Sequence, residues 1–347
     1  MTSPARVAGR WRDRLVAAWY APRVTPLALV LLPLSWLFGA LVTIRRALYR
    51  NGILARERVA RPVVVVGNLT AGGAGKTPLV IALAVAVAAR GRRPGLVSRG
   101  YGGTVTGVRE VNVGDDPAVV GDEPPLLAAA GFPVWVGRDR VAAARGLCTA
   151  HPACDVIVSD DGLQHYRLHR DVEIAVVDGT RGLGNGLMLP AGPLREPASR
   201  LDEVDAVVHL VAERGSASAA GQPQETTMAQ VPVGLRNLAD PSRTADPAAW
   251  PEGTVHAVAG IGNPPRFFDL LARMGIDAVP HPFPDHHTFV REDLDFPGAQ
   301  AILMTAKDAV KCARFVDARC FALDIRAVLD PALVDLVLER IDGCQAA

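Results

Sequence analysis

The sequence predicts an α/β fold of the P-loop NTPase type: a mostly parallel sheet with helices on both faces, a smaller C-terminal α/β domain, and a membrane-associated helix at the N-terminus. Three observations carry this. The apolar run Val63-Val64-Val65-Val66 leads through Gly67-Asn68-Leu69-Thr70-Ala71 into Gly72-Gly73-Ala74-Gly75-Lys76-Thr77-Pro78, the order of strand, phosphate loop and helix. Further β-branched runs alternate with Ala/Leu-rich stretches, the pattern of a sheet covered on both faces. Finally, residues 24–44 run 21 residues without a charge, about the length a helix needs to cross a hydrocarbon core.

That apolar stretch is flanked by arginines on both sides, Arg10, Arg12, Arg14 and Arg23 before it and Arg45, Arg46 and Arg50 after it, so the positive-inside rule gives no orientation. Pro26 and Pro33 interrupt it, and Trp11, Trp19, Tyr20, Trp36 and Tyr49 supply interfacial aromatics. The expectation is an anchor lying in one leaflet. The phosphate-loop helix continues over 79–89, a second strand covers 93–98, and Ser98-Arg99-Gly100-Tyr101-Gly102-Gly103 is a loop carrying an arginine and an aromatic ring. Gly121-Asp122-Glu123-Pro124 opens a Leu/Ala helix, 134–136 is a short strand, and 138–150 a helix. A buried strand over 155–159 delivers Asp160-Asp161-Gly162-Leu163-Gln164-His165, and strands follow at 173–178 and 204–210.

Residues 214–228 turn polar and small, which reads as a linker or insertion. The expected organisation is a membrane-anchoring segment (1–50), a nucleotide-binding and catalytic domain (51–213), a linker (214–232) and a C-terminal α/β domain (233–347) contributing to the active-site cleft. Within the last, 255–259 is a strand, Gly260-Ile261-Gly262 a turn lacking the third glycine of a dinucleotide fingerprint, 266–274 a helix, and 301–304 a strand ending in Thr305-Ala306-Lys307-Asp308.

At 347 residues, two α/β domains fit at about 100 to 200 residues each. The net charge of +1 gives no sign of nucleic acid. Five scattered cysteines without a CxxC pair argue against a disulfide framework or a zinc site and suit a reducing compartment.

Chemistry concentrates at a few residues. Lys76, one of three lysines among 37 lysine and arginine residues, suits the β/γ-phosphates, where a compact ammonium fits better than a guanidinium fork. Thr77 suits Mg²⁺. The loop is a variant, since Thr70 stands where the usual spacing has glycine. Asp160 and Asp161 end a buried strand, as a metal-holding acid requires; adjacent residues of a strand face opposite ways, so one is expected on the metal and the other in a positioning role. Asp122, Glu123, His165, Asp285, His286 and His287 are unranked candidates for orienting an acceptor hydroxyl.

Taken together, these stretches, with Leu189-Pro190-Ala191-Gly192-Pro193-Leu194-Arg195-Glu196-Pro197 and Phe283-Pro284-Asp285-His286-His287, resemble the lipid A 4′-kinase (tetraacyldisaccharide 4′-kinase) family across nearly the whole chain. The resemblance implies ATP and Mg²⁺, and a tetraacylated glucosamine disaccharide 1-phosphate phosphorylated on its 4′-hydroxyl at the cytoplasmic face of the inner membrane, with no obligatory protein partner. It implies Asp122 as general base paired with His286, and Glu123, Asp160 and Asp161 as metal-associated acids. It places Arg195 and Glu196 in a loop near the active site, where Arg99, Tyr101, Gln164 and His165 are further candidates for the substrate. Two departures stand out: Ala306 replaces the family's usual glutamate, and 214–228 resembles a family-variable insertion. The competing class is a membrane-associated P-loop ATPase or switch acting through a protein partner, for which Thr305-Ala306-Lys307-Asp308 would read the base. Asp122 coupled to His286 separates the two, because water needs only orientation whereas an alcohol benefits from a base.

Overall fold

A computed structural model describes residue 11 and residues 14–211, 225–245 and 254–345. Helix α1 (Pro26–Arg50) precedes strand β1 (Val63–Gly67), helix α2 (Lys76–Ala89), β2 (Pro94–Ser98) and β3 (Val108–Val111). Two short helices, α3 (Pro117–Val120) and α4 (Pro124–Ala129), lead to β4 (Val134–Gly137), α5 (Arg140–Ala150), β5 (Val156–Asp160), β6 (Val172–Asp178) and β7 (Ala206–Val211). The remainder comprises β8 (Glu225–Asn237), β9 (Thr244–Ala245), β10 (Val255–Ala259), α6 (Pro264–Arg273), β11 (Ala278–Pro282), β12 (Ala301–Thr305), α7 (Ala306–Cys312), β13 (Cys320–Leu329) and α8 (Pro331–Gln345).

The strands make one sheet in the order β11-β10-β12-β13-β8-β7-β6-β1-β5-β2-β4-β3, with β9 beside β8. Pairing is parallel except for β13–β8, β3–β4 and β8–β9. Strand β1 shows why both faces are covered. Val64 and Val66 pack in one cluster with Leu79, Val80 and Leu83 of α2, whereas Val63 and Val65 pack in another with Val141, Ala144 and Leu147 of α5, the period-two alternation of a strand between two helical layers.

Two expectations change here. The expected linker lies partly outside the described residues, but from Glu225 onward it is strand: β8 pairs with β7 through 225–229 and with β13 through 228–237. The two halves therefore share a hydrogen-bonded sheet, and Val334, Val337 and Ile341 of α8 return to the core that holds β1 and α2. The apolar stretch is an unbroken helix despite Pro33. Pro26 occupies its first turn, where a missing N–H costs nothing, and Thr25 Oγ1 accepts from Ala28 N at 3.3 Å. Only 11% of its most apolar window is buried, at a mean hydropathy of 2.3. Leu29, Val30, Leu34, Trp36, Leu37, Leu41 and Ile44 are exposed, a patch of the kind that meets lipid or a partner rather than water. Among the described residues it is the one helix long and apolar enough to cross a membrane.

Candidate active site

The phosphate loop is built on glycine geometry where it meets α2. Gly75 has φ +85°, and a Cβ there would come within 2.6 Å of Leu210 Cδ2. Gly72 and Gly73 are open to solvent while Ala74 is buried. Lys76 and Thr77 form the first turn of α2, so both side chains sit where its unpaired N–H groups create positive potential. Lys76 Nζ donates to Asn68 Oδ1 at 2.9 Å and lies 3.4 Å from Asp161 Oδ1. Asn68 Nδ2 in turn donates to Thr70 O at 2.8 Å, bracing the loop from inside. Gln164 Nε2 donates to Asn68 O at 3.3 Å, so the glutamine supports the loop from behind.

Asp160 and Asp161 have opposite surroundings. Asp161 follows the strand with φ +49°, one of two non-glycine residues with positive φ among the described residues. Its carboxylate meets Arg195 Nη1 at 3.1 Å as well as Lys76. Burial alone would raise its pKa, but Lys76, Arg195 and Arg140 outweigh burial and hold it well below the usual carboxylate range. Arg140, itself buried, donates from Nη2 to Asp161 O at 3.0 Å and fixes the turn. Asp160 is fully buried, and neither carboxylate oxygen has a hydrogen-bond partner. Burial and the nearby Glu123 carboxylate push its pKa up to about 7, against the pull of Lys76.

The second cluster joins the two halves of the chain. His286 Nδ1 lies 2.9 Å from Asp122 Oδ2, and the Tyr101 ring covers the imidazole at a centroid distance of 4.8 Å. Asp122 is half-buried, which raises its pKa, but the hydrogen bond from His286 and the charges of Lys311 and Lys307 leave it below the ordinary value. His286 is the other non-glycine residue with positive φ, at +61°, a conformation stored at functional sites at a cost of about 1–3 kcal/mol. The Asp122 loop is shaped by backbone contact: Gly121 has φ +94°, and a Cβ there would meet Tyr101 O at 2.6 Å. Lys307 Nζ sits 3.2 Å from Glu123 Oε1 and 3.6 Å from Asp285 Oδ1. Burial would lower its pKa, but Glu123, Asp285 and Asp122 raise it.

Several predicted residues point elsewhere. Glu196 is buried against the Tyr166 hydroxyl and lies 3.5 Å from Arg200 Nε, inside the scaffold. Burial and the charges of Arg140 and Arg170 lower the pKa of His165 to about 4, so its ring stays neutral, and its Nε2 has no partner. Arg99 is exposed. His287 pairs with Asp293 at 2.8 Å. Asp308 is fully buried and accepts from Gly260 N at 3.0 Å and Thr305 Oγ1 at 2.7 Å, with Lys311 Nζ 2.7 Å from its other oxygen. It is therefore a brace of its own loop, and the base-reading use of Thr305-Ala306-Lys307-Asp308 falls away. Lys307 and Asn68 are residues of this region that the sequence reading did not single out as site residues. The signal was present, because all three lysines of the chain, Lys76, Lys307 and Lys311, gather in this region.

Comparison with known proteins points to one family. The family model for tetraacyldisaccharide-1-P 4′-kinase matches residues 27–342. The tetraacyldisaccharide 4′-kinase of Azoarcus sp. (strain BH72) is 53% identical over 317 residues, covering 91% of this chain and 92% of that one. That of Chromobacterium violaceum is 50% identical over 329 residues, covering 93% and 96%. The crystal structure of LpxK from Aquifex aeolicus in complex with ATP superposes with a TM-score of 0.76 at 29% identity, covering 91% of this chain and 99% of that chain. With a phosphate loop, buried acids and an Asp–His pair at the junction of its two halves, the chain belongs to the tetraacyldisaccharide-1-P 4′-kinase family.

Proposed function

We propose that this protein transfers the γ-phosphoryl group of ATP to the 4′-hydroxyl of a tetraacylated glucosamine disaccharide 1-phosphate in lipid A biosynthesis, at the cytoplasmic face of the inner membrane. The observation that carries this reading is the 2.9 Å contact between Asp122 and His286, because an alcohol acceptor has a proton to lose. In the reaction the acceptor oxygen forms a bond to Pγ, the bond from Pγ to the bridging oxygen breaks, and ADP leaves. Asp122 takes the hydroxyl proton, and His286 holds its carboxylate in place and balances its charge. Lys76 neutralises the β/γ-phosphates, exchanging its contacts with Asn68 and Asp161 for theirs.

The residues also fit a bound Mg²⁺. The two oxygens of buried Asp160 that lack hydrogen bonds are the orphaned acceptors a cation would satisfy, the Glu123 carboxylate is close enough to raise its pKa, and Thr77 follows Lys76 in the first turn of α2. No group of three or more His, Cys, Asp or Glu able to hold a metal occurs among the described residues. Mg²⁺ commonly takes one or two carboxylates and completes its shell with phosphate and water. When bound it supplies charge neutralisation at the β- and γ-oxygens. Asp161, engaged by Lys76 and Arg195, positions rather than ligates. Helix α1, apolar and exposed between arginine-bearing flanks, brings this chemistry to the lipid surface.

The test is incubation of the full chain with γ-labelled ATP and the monophosphorylated tetraacyl disaccharide in mixed micelles, followed by chromatography of the lipid. Label in a bisphosphorylated lipid is expected. Label recovered only as inorganic phosphate would overturn the reading in favour of an ATPase.

A further inference from the structure

The apolar helix and the phosphate loop are joined by one compact turn. At its lipid-facing end, Ser35 Oγ donates to Met188 O at 2.7 Å. Ser35 is one of two buried residues in α1, an otherwise largely exposed helix. One turn further along, a Cβ on Gly39 would approach Met188 Sδ to 3.2 Å, so the small residues Ser35 and Gly39 form the seat in which Met188 lies. The segment before α1 grips the same turn from another side: Trp19 Nε1 donates to Pro190 O at 2.8 Å, and Asn185 N donates to Trp19 O at 2.8 Å.

The turn is stiff in itself. Leu189 N donates to Leu194 O at 2.8 Å, Gly192 N to Met188 O at 2.9 Å, and Asn185 Nδ2 to Ala191 O at 2.9 Å. Its far end is the edge of the phosphate loop. Ala71 N donates to Pro193 O at 2.7 Å and Arg195 N to Leu69 O at 2.7 Å, on either side of a bridge between Thr70 and Leu194. Arg195 then reaches Asp161, which contacts Lys76. An unbroken run of hydrogen bonds thus leads from the helix to the loop that must cradle phosphate.

We propose that residues 185–195 act as a strut through which the seating of α1 in lipid sets the geometry of the phosphate loop, with Ser35 and Trp19 as positioning residues for phosphoryl transfer. The proposal rests on the reading of α1 as lipid-embedded and of Gly72 to Thr77 as the ATP loop. Insertion of α1 favours one position of Met188 and Pro190, the strut carries that position to Leu69, Thr70 and Ala71, and nucleotide binds more tightly. Because coupling between sites is reciprocal, ATP must strengthen membrane binding by the same factor.

The test measures ATP affinity of the full chain with and without vesicles of phosphatidylethanolamine and phosphatidylglycerol, using a fluorescent ATP analogue. Wild-type protein is expected to bind ATP at least about fivefold more tightly on vesicles, the lower end of usual coupling. The Ser35→Ala/Trp19→Phe variant, which removes both side-chain hydrogen bonds to the strut and keeps the apolar surface, is expected to lose that vesicle dependence while floating with vesicles as before. If the double variant does not fold, Ser35→Ala alone is measured, with a reduced dependence expected. Equal wild-type affinity with and without vesicles would overturn the strut, as would an undiminished dependence in the folded variant. Variants that no longer float would assign these contacts to anchoring alone and also overturn it. Affinity is read without lipid turnover, so failure of the kinase reading would show separately, as absence of labelled lipid from wild-type protein.

Discussion

The two acidic pairs of the site, Asp160–Asp161 and Asp122–Glu123, are alike in sequence and unlike in how their charge is met. In the first pair Asp161 is held by Lys76 and Arg195, and the Asp160 carboxylate has no hydrogen-bond partner. In the second pair both acids meet cationic side chains, Asp122 at His286 and Glu123 at Lys307. The first pair and its partners fall between residues 76 and 195, whereas both partners of the second pair come from residue 286 onward. The second is thus a contact across a junction, whereas in the first the Asp160 carboxylate is buried without a hydrogen bond and its pKa is raised. The lesson is that two adjacent acids can titrate in opposite directions, because burial disfavours the charged form and nearby cations favour it.

The largest effect is expected at the junction. Asp122→Ala and His286→Ala should each lower kcat by about 10²–10⁴-fold, as for a lost general base, with little change in ATP affinity. The double variant should be scarcely worse than the poorer single one, because residues acting as a unit are not additive. Multiplicative losses in that double-mutant cycle would break the comparison by making the two residues independent. Asp160→Ala should cost about 10²–10³ in kcat, the scale of a lost electrostatic contact to the reacting group. It should also flatten the dependence of activity on Mg²⁺ concentration, and an unchanged Mg²⁺ titration would remove Asp160 from the cation.

Smaller effects sharpen the contrast. Lys307→Met leaves Glu123 and Asp285 without the ammonium, so about 1–3 kcal/mol of stability should be lost, seen as a lower urea midpoint with little change in secondary structure. The pH dependence of Asp160 should be the most subtle. Its pKa in the folded protein is raised from the ordinary carboxylate value of 3.8 to about 7 by burial, so the folded state holds the proton across that window and loses stability as pH rises through it. Melting temperature without nucleotide or metal should therefore fall relative to the Asp160→Asn variant between pH 4 and pH 7. A difference constant with pH would mean that Asp160 is already charged and paired.

Much of the fold was legible because its strands are β-branched runs at the centre of a parallel sheet, as in 63–66 and 173–178. Strand β8 was not. Its first residues, Glu225-Thr226-Thr227, have the polarity of a surface loop, and only their pairing with β7 makes them strand. Within the candidate site, the motifs come together in space, but their sequence did not give side-chain direction. Arg195 and Glu196 are adjacent, yet one reaches Asp161 and the other Tyr166. Lys307 lay inside a noticed motif whose neighbour Asp308 drew attention to base reading. The scarcity of lysine that singled out Lys76 applied to it equally.

Helix α8 has a consequence for how the chain is made. Leu333, Val334, Val337 and Ile341 complete the same apolar cluster as Val64, Leu79 and Val80, although they emerge from the ribosome after every other described element. The nucleotide-binding half therefore waits, with an unfilled groove beside α2, while the rest of the chain is synthesised at about 5–20 residues per second. During that interval the nascent protein carries two apolar surfaces, this groove and α1. Only the first is closed by the chain itself, so the second stays open to aggregation after folding is complete unless something else covers it.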